Sequence, residues 1–223
     1  MGNTKRTPLW LGLAALAVVT SQVPAQAAVV TYSYDMEFSG ARAPGGNGPW
    51  LIATFDDHNS QGSVRLTVSS AGLVSGENVG GLYFNLDPNL IPAQLSLTYL
   101  TNTSTAPVAS KISLAKDSYK ADGDGKYDIK MEFPNGSGFD AGEMLAYEIT
   151  GISTLTAASF SFLSAPAGGH GPYYAASHIQ NTTGAGLGDG GWIAPTVPLP
   201  AAGWLLGSGL MMLFAYGRKS SKI

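Results

Sequence analysis

Cysteine is absent from this 223-residue chain. That excludes disulfides and any thiol nucleophile, so whatever folds here is held by an ordinary hydrophobic core. Charge is scarce as well. Asp, Glu, Lys and Arg make up 12% of the residues, about half the usual fraction. The three histidines stand at unrelated spacings, so no H-E-x-x-H or comparable ligand pair is formed. No G-x-S-x-G marks a serine nucleophile. The middle of the chain also lacks a convincing amphipathic helical period. Glycine, by contrast, is plentiful at 29 residues, well above its usual share of about 7%. Few charges and many glycines predict turns joining short strands.

The charges that exist are sorted along the chain. All 15 acidic residues lie between Asp35 and Asp189, while Lys5, Arg6, Arg218, Lys219 and Lys222 lie outside that interval. Seven basic residues against fifteen acidic ones leave the middle at −8. Such a balance keeps an exported domain soluble and argues against a nucleic-acid partner, whose phosphates call for Lys and Arg.

Both ends are apolar. At the start, Lys5 and Arg6 precede an uncharged run over residues 9–19, and Ala25-Gln26-Ala27 fits the small-x-small rule for signal cleavage. Eleven apolar residues rise only about 16 Å as a helix, against a bilayer core of about 30 Å. Residues 1–27 are therefore predicted to be a signal peptide read by the Sec translocon, with Ala28 as the first residue after cleavage.

At the other end residues 201–216 carry no charge, and with Leu199 and Pro200 they would make about 27 Å of helix. A single transmembrane helix is predicted over 201–217. Trp204 and Tyr216 fall near its two interfaces, and Arg218, Lys219 and Lys222 place its end in the cytoplasm. Pro198 and Pro200 hold the residues before it extended.

The order of parts at this end is specific. Val197-Pro198-Leu199-Pro200 is followed by Ala201-Ala202-Gly203-Trp204-Leu205-Leu206-Gly207-Ser208-Gly209-Leu210, an apolar remainder and Arg218-Lys219. This resembles the PEP-CTERM sorting signal of Gram-negative bacteria that produce exopolysaccharide. Leu199 stands where the family name has Glu, a variant of the Val-Pro-x-Pro frame that the family accepts. The resemblance covers residues 197–223. It implies processing near the proline frame by an exosortase, a membrane transpeptidase-like enzyme, with an inner-membrane-anchored precursor delivered to the cell surface or extracellular matrix. Residues 197–223 are then substrate.

Between the ends, apolar and polar residues alternate with strand period. "SVRLTVS" sets Val64, Leu66 and Val68 against Arg65 and Thr67, and "KYDIKMEF" sets Tyr127, Ile129, Met131 and Phe133 against Asp128, Lys130 and Glu132. "VVTYSYDMEF", "WLIATF", "GLYFNL", "AQLSLTYL", "SKISLA", "LAYEIT" and "ASFSFLS" read the same way, separated by turn clusters such as "APGGNGP", "DGDG" and "PNGSG". The predicted fold is all-β, a β-sandwich or jelly-roll-like passenger domain over 28–190, with a Gly/Pro linker over 191–196. Gly186, Gly188 and Gly191 match G-x-G-x-x-G, but a dinucleotide fingerprint must follow a strand and open a helix, and Trp192-Ile193-Ala194-Pro195 cannot start one, so a flexible linker is expected there.

Several residue groups invite chemistry. Asp122, Asp124 and Asp128 have the 1, 3, 7 spacing of a calcium loop, yet Tyr127 and Phe133 stand where an EF-hand needs Gly and Glu. An Asp-Gly hairpin turn is the plainer reading. Asp56-Asp57-His58, His170 and His178 are acid/base candidates without a supporting geometry, and Glu143 with Glu148 is a carboxylate pair of unknown separation. Tyr173, Tyr174, Trp50 and Trp192 could form an aromatic platform for carbohydrate. The expectation is a non-enzymatic structural or adhesive component of exopolysaccharide or biofilm, with no catalytic residue, metal or cofactor. The alternative is a carbohydrate-binding, calcium-assisted, lectin-like module.

Overall fold

The computed structural model describes residues 28–196 apart from 135 and 137. Its strands are β1 (Val29–Glu37), β2 (Leu51–Asp56), β3 (Val64–Ser69), β4 (Asn78–Phe84), β5 (Ser96–Tyr99), β6 (Lys111–Ala121), β7 (Asp124–Glu132), β8 (Phe139–Asp140), β9 (Met144–Thr150), β10 (Ala175–Gln180) and β11 (Gly190–Pro195). Short 3-10 turns occur at Pro92–Gln94 and Ala157–Phe160, and no α-helix is found among the described residues. The protein is all-β.

The strands form one sheet, all antiparallel, in the order β5-β9-β3-β2-β1-β11-β10-β4-β7-β6, with β8 beside β4. Phe55 of β2 and Phe84 of β4 are four strand steps apart in that order, about 19 Å in a flat sheet. Their ring centroids lie 5.2 Å apart. The sheet therefore curls over, and its inner face encloses the main core. Alternation supplies that core: Phe55, Leu66, Phe84, Ile129 and Ile149 are almost completely buried, each contributing about 1.5–3 kcal/mol of transfer free energy. Phe160, from the second 3-10 turn, stacks on Phe55 at 4.3 Å and plugs the interior.

A bulge in β1 prepares the opposite face. Tyr34 pairs with Pro195 and Met36 with Ala194, so Asp35 is one residue too many for its partner strand. The extra residue reverses the alternation. Tyr34 joins the main core, whereas Phe38 joins a second cluster with Tyr83, Tyr127, Tyr173, Ala176 and Ala194, against which Met36 and Trp192 pack. Asp35 accepts bonds from the Thr196 amide at 3.0 Å and its hydroxyl at 3.1 Å.

Three expectations are corrected here. The linker predicted over 191–196 is instead mostly β11, a central strand paired to both β1 and β10. The Gly-rich stretch before it is ordered: Ala43 N donates to Ala185 O at 2.8 Å and Gly184 N to Ala43 O at 3.0 Å. Its glycines serve close approach, since a Cβ at Gly184, Gly186 or Gly191 would collide with the backbone of residues 41–44. Finally "ASFSFLS", read as a strand, starts in the 3-10 turn at Ala157–Phe160. There the Thr156 amide donates to Ser159 Oγ at 3.1 Å, a local bond that competes with strand pairing.

No helix among the described residues is long and apolar enough to cross a membrane. The predicted span over 201–217, the residues Val197, Pro198, Leu199, Pro200, Trp204, Arg218 and Lys219, and Ala25 and Ala27 at the cleavage position all lie outside the described residues. Ala28 is the first residue inside them.

Candidate functional site

The second face of β11, β10, β4 and β7 gathers the groups most suited to binding. Register sets them side by side: Trp192 opposes His178, His178 opposes Gly81, Ala176 opposes Tyr83, and Tyr83 opposes Lys130. The rings of His178 and Trp192 are 4.7 Å apart at 37°, and those of Tyr83 and Trp192 are 5.4 Å apart at 58°. Lys130 Nζ lies 5.9 Å from the Tyr83 centroid and 2.8 Å from Glu132 Oε1. Gly80, Gly81 and Gly190 contribute no side chains beside these rings, and a Cβ at Gly190 would press on His178 Nε2. Trp192 and His178 keep half-exposed rings, while Tyr83 is buried beneath them.

A shallow cleft of about 480 Å³ adjoins this strip, lined by Gly136, His178, Gln180, Asn181, Asp189 and Gly190. It offers amides and a carboxylate next to an aromatic edge. Burial lowers the His178 pKa below its ordinary value, opposed by the nearby Asp122 carboxylate. The imidazole is thus neutral at physiological pH and stacks as an uncharged ring. Burial raises the Tyr83 phenol, against the pull of Lys130. Lys130 itself is held charged, first by its bond to Glu132.

The acidic hairpin is a turn and not a cation cage. Asp122 and Gly123 both have positive φ, 52° and 82°, between paired residues Ala121 and Asp124, the pattern of a two-residue I′ turn. Asp122 is exposed at the tip, and burial, then Asp124 and Glu37, raise its pKa while His170 and His178 oppose. Asp124 is buried, and its Oδ1 accepts the amides of Gly169 at 2.6 Å and His170 at 3.1 Å. Its Oδ2 meets His170 Nδ1 at 2.8 Å. Burial pushes the carboxyl up, but the His170 amide and ring and the Gly169 amide more than offset it and hold it below its ordinary value. Asp128 accepts the amides of Leu86 and Asp117, both at 2.8 Å. Two of the three carboxylates are therefore spent on loop geometry. Among the described residues no three His, Asp or Glu side chains gather around a point fit for a metal ion.

No protein family matches the chain, and neither does any curated protein or solved structure. The reading of the face therefore rests on its own geometry.

The other candidates are scattered. Tyr173 is buried against Phe38 at 4.7 Å, and Trp50 is a core residue whose Nε1 donates to Gly45 O at 3.1 Å. Tyr174 stacks on Tyr32 at 5.7 Å beside a separate groove bounded by Val30, Ser161 and Thr196. Of the four aromatics singled out from sequence, Trp192 alone belongs to the strip. Asp56 caps His58 N at 2.8 Å, and Asp57 turns inward. Glu143 caps Asp140 N at 2.8 Å. Glu148 pairs across strands with Arg65, 3.3 Å away, and also accepts Ser63 Oγ. Five residues of extended chain put Glu143 and Glu148 about 17 Å apart. Tyr83 and Lys130 were not singled out as site residues. The signal was available in part: Lys130 occupies the polar register of "KYDIKMEF", but only the β4–β7 pairing shows that Tyr83 faces it.

Proposed function

We propose that the protein is an exported, exosortase-processed surface or extracellular-matrix component of a Gram-negative bacterium, with a structural or adhesive role in exopolysaccharide or biofilm. One observation carries the reading. The first strand starts at Val29, one residue after the predicted signal cleavage, and the last ends at Pro195, two residues before the Val197-Pro198-Leu199-Pro200 frame. These two strands pair with each other in the middle of the sheet. Among the described residues, every strand therefore lies between the two positions where the sequence predicts processing. Within this reading the curled sheet is a β-sandwich of jelly-roll type, supported by the Phe55–Phe84 contact between distant strands.

The processing partners are the Sec translocon and an exosortase, with the membrane holding the precursor through 201–217. Pro198 and Pro200 present an extended bond at the outer surface. The test is fractionation of cells with and without the exosortase. The wild type reaches the surface only in the proficient strain, and the Pro198→Ala/Pro200→Ala variant stays full-length in the inner membrane of both. Surface delivery of that variant would overturn the role of the frame.

A second reading is favoured by the strip of Trp192, His178 and Tyr83 beside a polar cleft. Carbohydrate is recognised by stacking of its apolar ring faces on aromatics and by hydrogen bonds from amides and carboxylates. On this reading the passenger is a lectin-like module for the matrix polysaccharide. Calcium assistance finds no support, because Asp124 and Asp128 are already engaged.

A further inference from the structure

Asp57 is a buried carboxylate, 6% exposed, with no cation against it among the described residues. Its Oδ1 accepts the backbone nitrogen of Ala28 at 3.0 Å and that of Asn59 at 3.2 Å. Oδ2 accepts the amide of Ala157 at 3.3 Å. Asp57 N returns a bond to Ala28 O at 3.3 Å, so the two residues clasp each other. A single side chain thus ties the start of β1, the β2–β3 turn and the 3-10 turn that carries Phe160 onto Phe55. Burying an unpaired carboxylate is costly, and neutral amide donors offset only part of that cost.

The nitrogen that Asp57 holds belongs to the residue that signal cleavage would expose. We propose that Asp57 is the docking site for the α-ammonium group of the mature chain, so that removal of the signal peptide completes the fold. The inference rests on the export reading, specifically on cleavage after Ala27. In the precursor, Ala28 offers Asp57 one amide proton. After hydrolysis of the Ala27–Ala28 bond, water supplies the oxygen of the departing carboxylate, and the Ala28 nitrogen becomes an ammonium with three protons and a positive charge. The same 3.0 Å contact then becomes a charge-assisted bond to a carboxylate that is itself buried, and charge-assisted bonds are roughly twice as strong as neutral ones. Pairing of Val29 with Asp56 keeps the terminus in register with the carboxylate.

The prediction is tested on the mature chain, residues 28–223 in detergent, prepared in three forms. One begins at Ala28 with a free amino group, one carries a Gly-Ser extension, and one is acetylated at Ala28. Acetylation keeps an N–H donor and removes only the charge. Both modified forms are expected to melt below the free form, by roughly 3–10 °C, and this gap is expected to close in Asp57→Asn. Equal melting of the free and acetylated forms would overturn the proposal, and so would a gap that persists in Asp57→Asn. The acetylated comparison stands even where Asp57→Asn fails to fold. Amino-terminal sequencing of the exported protein is read separately. Ala28 supports the export boundary; any other terminus overturns the proposal at its first step, whatever the melting data show.

Discussion

The His178 ring lies 4.7 Å from that of Trp192, its directly opposed neighbour across β10 and β11. Both rings are partly open to solvent above a buried Tyr83. If this pair is a carbohydrate platform, Trp192→Ala removes most of the retardation of the protein in gels containing the strain's own polysaccharide. Trp192→Phe retains part of it. Affinity is expected to fall about tenfold, the equivalent of roughly 1.4 kcal/mol of lost stacking. Affinity electrophoresis measures this, with melting recorded in parallel to show that the sheet is intact. Unchanged retardation in Trp192→Ala would remove the lectin reading. Tyr173 is the wrong probe, because it is buried against Phe38 and its loss would damage the fold.

Asp124 and His170 give a pH-dependent staple. Asp124 has its pKa depressed in the folded state, so its contribution to stability is full above the ordinary carboxylate value, near 3.8. That contribution is lost as pH falls through the lower, folded value. Asp124→Asn should therefore be less stable than wild type at pH 7, with a smaller gap at pH 3, below the ordinary carboxylate value. Urea unfolding at the two pH values checks this. A gap of equal size at both would mean that the carboxylate charge contributes nothing.

The loop that Asp124 secures depends on one glycine. Gly168 has φ +80°, and a Cβ there would strike Asp124 Oδ1 and the Gly123 carbonyl. Gly168→Ala combines left-handed strain with displacement of the carboxylate, and a loss of about 2–3 kcal/mol is expected. The same substitution at Gly136, where φ is +75° and a Cβ meets open space, should cost only about 1 kcal/mol. Thermal melts of the two variants compare strain alone with strain plus collision.

How far the fold could be read from the chain depended on periodicity. β2 and β3 alternate cleanly because one face of each is buried. β10 and β11 did not show this pattern. They are covered on both sides and contain Ala, Ser and Gly, so "AASHIQ" and "GGWIAP" carry little contrast between faces. Glycine caused the largest misreading. In the stretch before β11 it lets backbones touch, which in composition looks the same as a flexible linker. Trp192 was legible as an aromatic of interest. Its grouping with His178 and Tyr83 was not, since it depends on three strands far apart in sequence meeting in register.

Glu77 offers the sharpest stability test, because one carboxylate closes three loops. Its Oε1 accepts Gly45 N at 2.7 Å and the amide and hydroxyl of Thr183, both at 2.9 Å, while Oε2 accepts Val74 N at 3.1 Å. The side chain is 1% exposed, so water cannot replace it. Glu77→Ala leaves those donors facing a void and is expected to cost roughly 3–5 kcal/mol. Glu77→Gln is the discriminating variant. Its oxygen can keep the Gly45 and Thr183 bonds, but its amide nitrogen then points donors at the Val74 N–H. A loss of about half that of Glu77→Ala is expected, and chemical denaturation measures both. A Gln variant as stable as wild type would show that the fourth bond contributes nothing. An Ala variant losing under about 1 kcal/mol would show that the loops are held without the carboxylate.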